Sequence, residues 1–316
     1  MTNYEWAKKN SPPAFMMMKM NMVWEVPDED EEKVARYFLK YWDDVKVYIK
    51  EQNEREGIKP LGNYRVFFEP SEKIAKELTF DFFNLIWAVD DYLYNTRHYE
   101  ELVSYYRDIL ELFAWDQYEH DQWLSHMGEV IWQLDPTEGE GFFKERLTER
   151  NDVIMFGYTM CLMSEDRWDE VAEALKGYED TTDETLLDRF ESLERHRSEV
   201  LWKKIDAMLH ERLEEAEPDA LEMIRTMYKE NRFIPVLFHG SSLVTIETEE
   251  KDYAVCASDY DRREYSKEGL RIDEFPMQEL LPDIKEKIDV AGIAITFPID
   301  DSITAGFPFT WDEIGV

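Results

Sequence analysis

Apolar stripes at helical spacing follow one another over residues 71–216, and this succession constrains the fold more than any other feature. One stripe runs from Phe80 to Tyr94 and a second from Leu102 to Phe113. Further stripes follow from Trp123 to Leu134 and from Val153 to Met163. Because apolar residues at three- and four-residue intervals mark one face of an amphipathic helix, we predict helices throughout this segment.

Helix-breaking residues separate these stripes at short intervals. The breaks lie at Asn95, at Asp135-Pro136, at Asn151 and at Gly177. Short helices joined by short loops pack as antiparallel neighbours, so we expect stacked helical hairpins.

Residues 1–15 are predicted to form a loose tail. The segment between this tail and the helical stripes shows strand-like alternation in some parts and helical spacing in others. Side chains alternate from Met18 to Val26, which predicts a half-buried strand. Pro27-Asp28 then opens a long helix whose apolar stripe ends at Ile49. Tyr64 to Phe68 predicts a second strand.

The C-terminal part of the chain changes from helical to mixed periodicity. A long charged helix is predicted over 183–216, and Glu217-Pro218-Asp219 breaks it. Short apolar runs then alternate with a helix, which predicts an α+β layout. The runs predicted as strands are Phe233–Phe238, Leu243–Glu247, Tyr253–Ala257 and Ala291–Phe297, which Pro298 closes, and the helix is Pro276–Lys287.

The predicted fold class is α+β and mostly helical, with an antiparallel helical-hairpin array followed by a small α+β domain. We place a strand–helix–strand region over 1–70, packing on a helical domain over 71–216, and an α+β domain over 217–316. A chain of 316 residues exceeds what one compact core usually absorbs, so more than one domain is expected.

A repeated motif lies within the helical segment. His98-Tyr99-Glu100-Glu101-Leu102 and Arg167-Trp168-Asp169-Glu170-Val171 share a basic, aromatic, acid, acid, apolar order and lie 69 residues apart. This pattern resembles the second helix of tetratricopeptide repeats over roughly residues 79–180, at about twice the usual 34-residue period. Large residues stand where that family has a small one, and an irregular helical bundle is the alternative. The resemblance implies a concave groove that binds peptides or protein faces.

A second resemblance covers the C-terminal domain. The runs Phe233-Ile234-Pro235-Val236-Leu237, Ala254-Val255-Cys256-Ala257-Ser258 and Ala291-Gly292-Ile293-Ala294-Ile295 look like the strand order of SseB-like domains. Cys256-Ala257-Ser258 and Thr296-Phe297-Pro298 depart from that family's usual residues. The resemblance implies a binding or regulatory module and brings no catalytic residues with it.

The chain is strongly acidic, with 71 Asp and Glu against 36 Lys and Arg and a formal charge of −35. Such a charge repels nucleic-acid backbones and anionic membranes, so neither is an expected partner. The acid either forms an ordinary solvated surface or is concentrated on one face that meets a basic partner.

Cysteine content and hydropathy indicate the compartment. Cys161 and Cys256 lie far apart in apolar surroundings, which is typical of reduced thiols and not of a disulfide-rich secreted domain. No stretch reaches the roughly 20 apolar residues of a membrane span, and the N-terminus lacks a signal-peptide pattern. We therefore expect a cytoplasmic protein.

Signatures of metal, cofactor or nucleophile chemistry are missing from the sequence. His120 and His126 lie six residues apart, on opposite sides of a helix, and of the adjacent Asp90 and Asp91 only one can face inward. No phosphate-binding or dinucleotide-binding loop is present. We predict no catalytic residues, no metal and no cofactor. The His239-Gly240-Ser241-Ser242 stretch is typical of a turn.

Two sets of residues are candidates for binding. Aromatic side chains of the helical segment are candidate anchors, although their helical spacing equally predicts that most fill the core. These are Trp115, Tyr118, Trp123, Trp132 and Trp168. A possible polar site in the C-terminal domain comprises His239, Asp259, Asp261 and Arg262.

Three hypotheses of function follow. The first is a non-enzymatic interaction or regulatory protein whose acidic helical scaffold binds a protein partner, possibly a basic one. The second is an immunity-type inhibitor that covers a basic toxin enzyme. The third is an enzyme whose site near the domain junction is assembled from scattered residues, which predicts a deep polar pocket.

Overall fold

The computed structural model describes residues 3–21, 28–56, 82–113, 115–248, 251–257, 269–300 and 303–316. Over these residues the protein is mostly helical and carries a small mixed sheet near its C-terminus. The predicted α+β, mostly helical class is therefore confirmed.

The chain divides into two compact units, Met1–Leu186 and Leu187–Val316. Ten helices of the described residues lie in the first unit: α1 (Asn3–Asn10), α2 (Pro12–Asn21), α3 (Asp28–Lys40), α4 (Trp42–Glu56), α5 (Phe83–Asn95), α6 (Tyr99–Leu112), α7 (Gln117–Leu134), α8 (Pro136–Arg146), α9 (Asp152–Ser164) and α10 (Trp168–Ala174). A long helix, α11 (Glu184–Arg212), contributes most of its length to the second unit.

Helices α5 to α10 form three consecutive hairpins, α5–α6, α7–α8 and α9–α10. Their first helices begin at Phe83, Gln117 and Asp152, so successive hairpins start 34 and 35 residues apart. The predicted breaks at Asn95, Asp135-Pro136 and Asn151 coincide with helix ends and are confirmed.

Short polar side chains begin these helices. Asp116 accepts a hydrogen bond from the Glu119 N–H at 2.9 Å and forms a capping box at the start of α7. Asp135 caps α8 ahead of Pro136, and Asn151 caps α9 by accepting from the Ile154 N–H. Each cap satisfies amide groups that lack a partner within the first helical turn, which fixes where the hairpins turn.

The N-terminal segment differs from the prediction in two places. Residues Met18 to Asn21 lie in helix α2 and not in a strand, because unbranched Met and Lys side chains favour a helix and place Met17 and Met18 in the core. The long helix after Pro27 is two helices, α3 and α4, which separate at Tyr41. The rest of the alternating run and the predicted strand Tyr64–Phe68 lie outside the described residues.

The main apolar core of the first unit lies among its first seven helices. It draws on α1 to α7, with fully buried side chains from the N-terminal helices and from the first two hairpins. Examples are Phe38, Ile49, Ile86, Leu102 and Trp123. Burial of about 25 cal/mol per Å² of apolar surface makes this core the main source of the unit's stability.

The second unit packs helices on a seven-stranded mixed sheet. After a 3₁₀ turn at Leu213–Ala216, its elements are α12 (Glu217–Lys229), β1 (Phe233–His239), β2 (Ser242–Leu243), β3 (Thr245–Glu247), β4 (Asp252–Ala257), β5 (Leu270–Pro276), α13 (Met277–Lys287), β6 (Gly292–Asp300), β7 (Ile303–Thr310) and α14 (Trp311–Ile314). The order β2-β1-β4-β6-β7 forms the main path, with β5 on β1 and β3 on β4. Only β4 and β6 run parallel among the described pairs.

Helix α11 is tied to this sheet by buried contacts. Trp202, Ile205 and Leu209 of α11 belong to the core of the second unit, although the sequence-based boundary after residue 216 places them in the helical domain. The Trp202 indole N–H donates to the Phe233 carbonyl at 2.8 Å. The Phe233 N–H donates to the Ser198 hydroxyl at 3.0 Å. These contacts join the middle of α11 to the start of β1.

The C-terminal end holds more strand than predicted. Strand β6 continues through Pro298 to Asp300 and pairs with β7, although no element was predicted for residues 303–316. Pro298 itself pairs with Thr304 of β7, so the strand does not end at this residue. The closure of this strand at Pro298 was therefore wrong.

None of the described helices has the length and apolar composition that crossing a membrane requires.

Candidate functional site

The first helices of the second and third hairpins lie very close together. A Cβ atom added at Gly157 of α9 would lie 2.0 Å from the Ser125 hydroxyl of α7. Within the second hairpin, a Cβ atom at Gly139 of α8 would lie 2.5 Å from the Trp132 Cα atom of α7. At Gly139 only glycine leaves room for the neighbouring backbone, and at Gly157 a larger residue would collide with the Ser125 side chain, so both positions limit how the helices pack.

Aromatic rings join α5 to α7. The Trp87 ring centroid lies 4.3 Å from that of Trp123, in a tilted stack. The His126 ring meets Trp87 edge-on at 5.7 Å and Trp123 at 5.9 Å. Trp123 is buried, whereas Trp87 is half-buried and presents part of its ring to solvent. Such offset and edge-on pairs hold the rings in one arrangement.

A buried carboxylate lies beneath these rings. Asp90 of α5 is only 6% exposed, and its Oδ1 atom accepts a short hydrogen bond from the Tyr106 hydroxyl of α6. Its Oδ2 atom lies 3.8 Å from His126 Nδ1 of α7. Burial, and next the Asp90 charge, raise the pKa of Tyr106, so this phenol remains a hydrogen-bond donor at neutral pH. Asp90 therefore links three helices.

His126 lies among carboxylates. Burial of the ring opposes its protonation, but the nearby Asp90 carboxylate and the charges of Glu129 and Asp91 outweigh burial and raise the pKa of His126. The side chain of His126 is 37% exposed, so solvent reaches it. Partial burial and the Asp90 charge raise the pKa of Asp91, and His126 opposes this shift. Each charge here thus depends on its neighbours.

The surface above Asp90 combines acid and aromatic side chains. We name it the acidic–aromatic face and define it by Trp87, Asp91 and Tyr94 of α5 and by His126 and Glu129 of α7. Tyr94 is 43% exposed and lies 5.8 Å, ring to ring, from Tyr99. Burial and then the charges of Tyr99 and Glu129 raise the pKa of Tyr94, which keeps its hydroxyl neutral. This face offers anionic and ring-stacking groups side by side.

The five predicted aromatic anchors occupy different environments. Trp115, Trp123 and Trp132 are 6%, 1% and 2% exposed, so these three fill the core. Tyr118 is 51% exposed on the first turns of α7. Trp168 is half-buried, and its indole N–H donates to Asp166 at 2.6 Å. Trp123 lies directly beneath the acidic–aromatic face, and as the stacking partner of Trp87 it forms part of the floor.

Of the predicted polar set in the C-terminal domain, His239 lies within the described residues. His239 is the exposed last residue of β1 and pairs with Ser242 and Leu270 on the neighbouring strands. Asp259, Asp261 and Arg262 lie outside the described residues. The turn at Gly240 has a positive φ of 62°, as the turn chemistry of this stretch predicts.

An open depression of about 810 Å³ lies in the second unit, at the ends of β3, β6 and β7. Its walls carry both signs of charge, including Asp252, Lys251, Lys285 and Asp312. The Trp311 indole N–H at its edge donates to the Val290 carbonyl at 2.8 Å, and this buried hydrogen bond stabilises the core. Nothing in this lining defines a nucleophile with its base.

Metal and thiol chemistry find no support in the part of the chain that the structure describes. No group of three or more His, Cys, Asp or Glu side chains there is arranged to hold a metal ion. Both cysteines are buried, and burial raises the pKa of Cys161 and of Cys256, which leaves them as unreactive thiols at neutral pH.

We did not predict a site at Asp90 and His126 from the sequence. The spacing of the residues around them nevertheless gives a signal for such a site. Trp87, Asp91 and Tyr94 are four and then three residues apart, which places them on one face of α5. His126 and Glu129 repeat a three-residue spacing on α7. The prediction that only one of Asp90 and Asp91 faces inward is confirmed, since Asp90 is buried and Asp91 is exposed.

Comparison with known proteins gives no match: no family model, curated protein or solved structure is similar to this chain. The described fold defines a mostly helical α+β protein with three stacked hairpins. The tetratricopeptide-like and SseB-like resemblances stay predictions that rest on the residues quoted for them.

Proposed function

We propose that the protein is a non-catalytic binding protein whose acidic–aromatic face binds a basic segment of a protein partner. The observation that carries this proposal is the grouping of Asp90, Asp91 and Glu129 around His126, beside the half-exposed ring of Trp87. Anionic groups attract lysine and arginine, and a Trp face stacks on a guanidinium group or on an alkyl stem.

The charge balance of this face differs from that of other acid groups on the hairpins. Arg167 forms ion pairs with Glu140, Glu165 and Glu170 within 3.4 Å. By contrast, no lysine or arginine of the described residues forms an ion pair with Asp90 or Asp91. Asp91 is exposed, so its carboxylate can meet a cation from outside.

The arrangement of the hairpins also supports a binding scaffold. Their starts lie 34 and 35 residues apart, which is the period of tetratricopeptide arrays. In such arrays the first helices of successive hairpins form one continuous surface, and Trp87 and Asp91 belong to α5 while His126 and Glu129 belong to α7. A peptide lying across two helices would meet all four side chains.

The test is capture of partners by four tagged forms of the full-length protein from extract of its native cells. The forms are wild type, Trp87→Leu, Asp91→Lys and the control Asp169→Lys, which makes the same charge change at an exposed position on α10. We expect one basic protein to bind wild type and the control and to lose about tenfold or more in affinity for Asp91→Lys. Added salt should weaken the complex.

Equal binding of every captured protein to Asp91→Lys and Asp169→Lys would show that the face does not bind the partner. Circular dichroism of both variants checks that the fold is kept. If the captured partner is an enzyme whose activity falls on binding, the protein acts as an inhibitor; if its activity is unchanged, the protein acts as an adaptor.

A further inference from the structure

Helices α11 and α12 line a groove of about 360 Å³, and all of its lining residues belong to the second unit. Its apolar lining consists of Leu201 and Met208 from α11 and of Met223 and Met227 from α12. Met227 is 1% exposed and forms the floor, whereas the other three side chains are half-buried and pack against the core of the unit. Unbranched methionine side chains adapt their shape to an apolar ligand.

Three exposed charged residues complete the lining, and two of them are neutralised within the protein. These residues are Lys204, Asp219 and Glu222. Asp219 forms an ion pair with Arg212 at 2.6 Å, and Glu222 forms one with Arg225 at 3.6 Å. By contrast, no carboxylate of the described residues forms an ion pair with Lys204. The groove therefore carries one positive charge that no internal anion balances.

This charge differs from the rest of the chain, which has a formal charge of −35. Even the adjacent Lys203 forms an ion pair, with Glu199 at 2.9 Å. The surface as a whole repels anions, so an anion is attracted where a cation lacks an internal partner. The groove thus complements a ligand that has one negative group and an apolar remainder.

The volume of the groove limits the size of this ligand. Small-molecule sites measure about 300–1,000 Å³, and the groove lies at the lower end of this range. Two turns of an α-helix with its side chains occupy roughly 1,000 Å³, so the groove is too small to enclose a helix of a partner. A single hydrocarbon chain is as thin and unbranched as the methionine side chains that would contact it.

We propose that this groove binds a fatty acid, with the carboxylate at Lys204 and the chain along Met208 and Met223. A carboxylate carries one charge, as Lys204 does, so the bound pair is neutral. The site is independent of the acidic–aromatic face, which belongs to the first unit.

Two physical effects set the expected affinity. Each methylene group transferred from water into the groove strengthens binding by up to about fourfold, so affinity should rise with chain length until the groove is filled. The exposed ion pair with Lys204 adds about two- to fivefold. The chain therefore provides most of the affinity, and the lysine fixes the orientation.

The experiment is titration calorimetry of the full-length protein with butyrate, octanoate, decanoate and octanol, each below the concentration at which it aggregates. Octanol has the chain length of octanoate without its charge. We expect decanoate to bind more tightly than octanoate, and butyrate not to bind measurably. Octanol should bind about two- to fivefold more weakly than octanoate.

Three variants separate the contributions of charge and chain. Lys204→Gln should lower the affinity for octanoate to that for octanol and leave octanol binding unchanged. The control Lys203→Gln removes the same charge one residue away and should change neither affinity. Met223→Gln keeps nearly the same size but is polar, so it should weaken the binding of both ligands. Circular dichroism checks that each variant keeps the fold.

A second measurement locates the ligand. The methionine methyl groups are labelled with carbon-13, and the NMR signals of Met208, Met223 and Met155 are assigned by replacing each residue with leucine. Decanoate should shift the signals of Met208 and Met223. Met155 is a buried residue of α9 in the first unit, and its signal should stay unchanged.

Several results would overturn the proposal. These are no binding of decanoate to the wild type, equal octanoate affinity of Lys204→Gln and Lys203→Gln, or unchanged signals of Met208 and Met223. If a second copy of the chain covers the groove instead, sedimentation will show a dimer that Met223→Gln dissociates. None of these results affects the capture of a basic partner, which depends on Asp91, so the two proposals fail separately.

Discussion

Two adjacent aspartates show how environment sets the role of a residue. Asp90 and Asp91 have the same chemistry and neighbouring positions on α5, but Asp90 is buried against Tyr106 and Asp91 is exposed. Because successive residues of a helix point about 100° apart, one side chain enters the core and the other faces solvent. The first holds the helices together, and the second contacts solvent.

The two glycines of α8 give a matched test at the same scale. A Cβ atom at Gly139 would lie 2.5 Å from the backbone of Trp132, whereas a Cβ atom at Gly141 meets nothing within 4 Å. We expect Gly139→Ala to destabilise the protein by about 1–3 kcal/mol, because α7 and α8 must move apart. Gly141→Ala should stabilise it by about 0.5–1 kcal/mol through helix propensity.

Urea unfolding of both variants measures these changes. The comparison is informative because both substitutions add the same methyl group to the same helix. A Gly139→Ala variant at least as stable as the wild type would mean that α7 and α8 do not pack as closely as described.

At the scale of elements, N-terminal caps decide where helices start, and polar contacts decide which neighbouring elements they bind. Asp116, Asp135 and Asn151 begin α7, α8 and α9 by local hydrogen bonds, and the breaks at Asp135-Pro136 and Asn151 were predictable for that reason. The prediction of a strand from Met18 to Val26 failed over Met18 to Asn21, where helix propensity and burial in the core outweighed the alternating pattern. Short runs carry too little periodicity to decide alone.

The contact of α11 with β1 provides a prediction at this scale. Ser198 on α11 accepts from the buried Phe233 N–H and donates to the Glu194 carbonyl. In Ser198→Ala the Phe233 N–H loses its partner away from water, so we expect a loss of about 1–3 kcal/mol in the free energy of unfolding.

Ser192→Ala is the control for this substitution. Ser192 lies on the same helix and donates to the Asp188 carbonyl in an exposed position, so its replacement should change stability by less than about 0.5 kcal/mol. Chemical denaturation followed by circular dichroism compares the two variants. Equal stability of Ser198→Ala and Ser192→Ala would show that Ser198 does not satisfy the Phe233 amide.

At the scale of the whole molecule, the net charge is the main electrostatic influence on stability. A formal charge of −35 on 316 residues opposes compaction through mutual repulsion of the acids. Local ion pairs such as Arg150 with Asp180 and Arg167 with Glu140 offset only part of this repulsion. Stability should therefore depend on ionic strength more than it does for a protein of balanced charge.

We expect the midpoint of thermal unfolding to rise as NaCl increases from 10 to 300 mM. The screening length falls from about 30 Å at 0.01 M to about 10 Å at 0.1 M, so repulsion between distant acids is largely removed in this range. Differential scanning fluorimetry measures the midpoint, with KCl as a control because screening is not ion-specific. A midpoint that is constant or falls with salt would contradict net repulsion as the dominant electrostatic effect.

The sequence by itself determined the α+β class, most of the helix boundaries in the hairpins and the acidity. These depend on local information, because helical periodicity repeats within a few residues and a cap acts within one turn. Only the tertiary structure decided that Asp90 meets His126, that Trp87 stacks on Trp123, and that Trp115 and Trp132 are buried while Tyr118 is exposed. The residues of the first two pairs lie 36 positions apart, and such contacts depend on which helix faces meet, which no local pattern specifies.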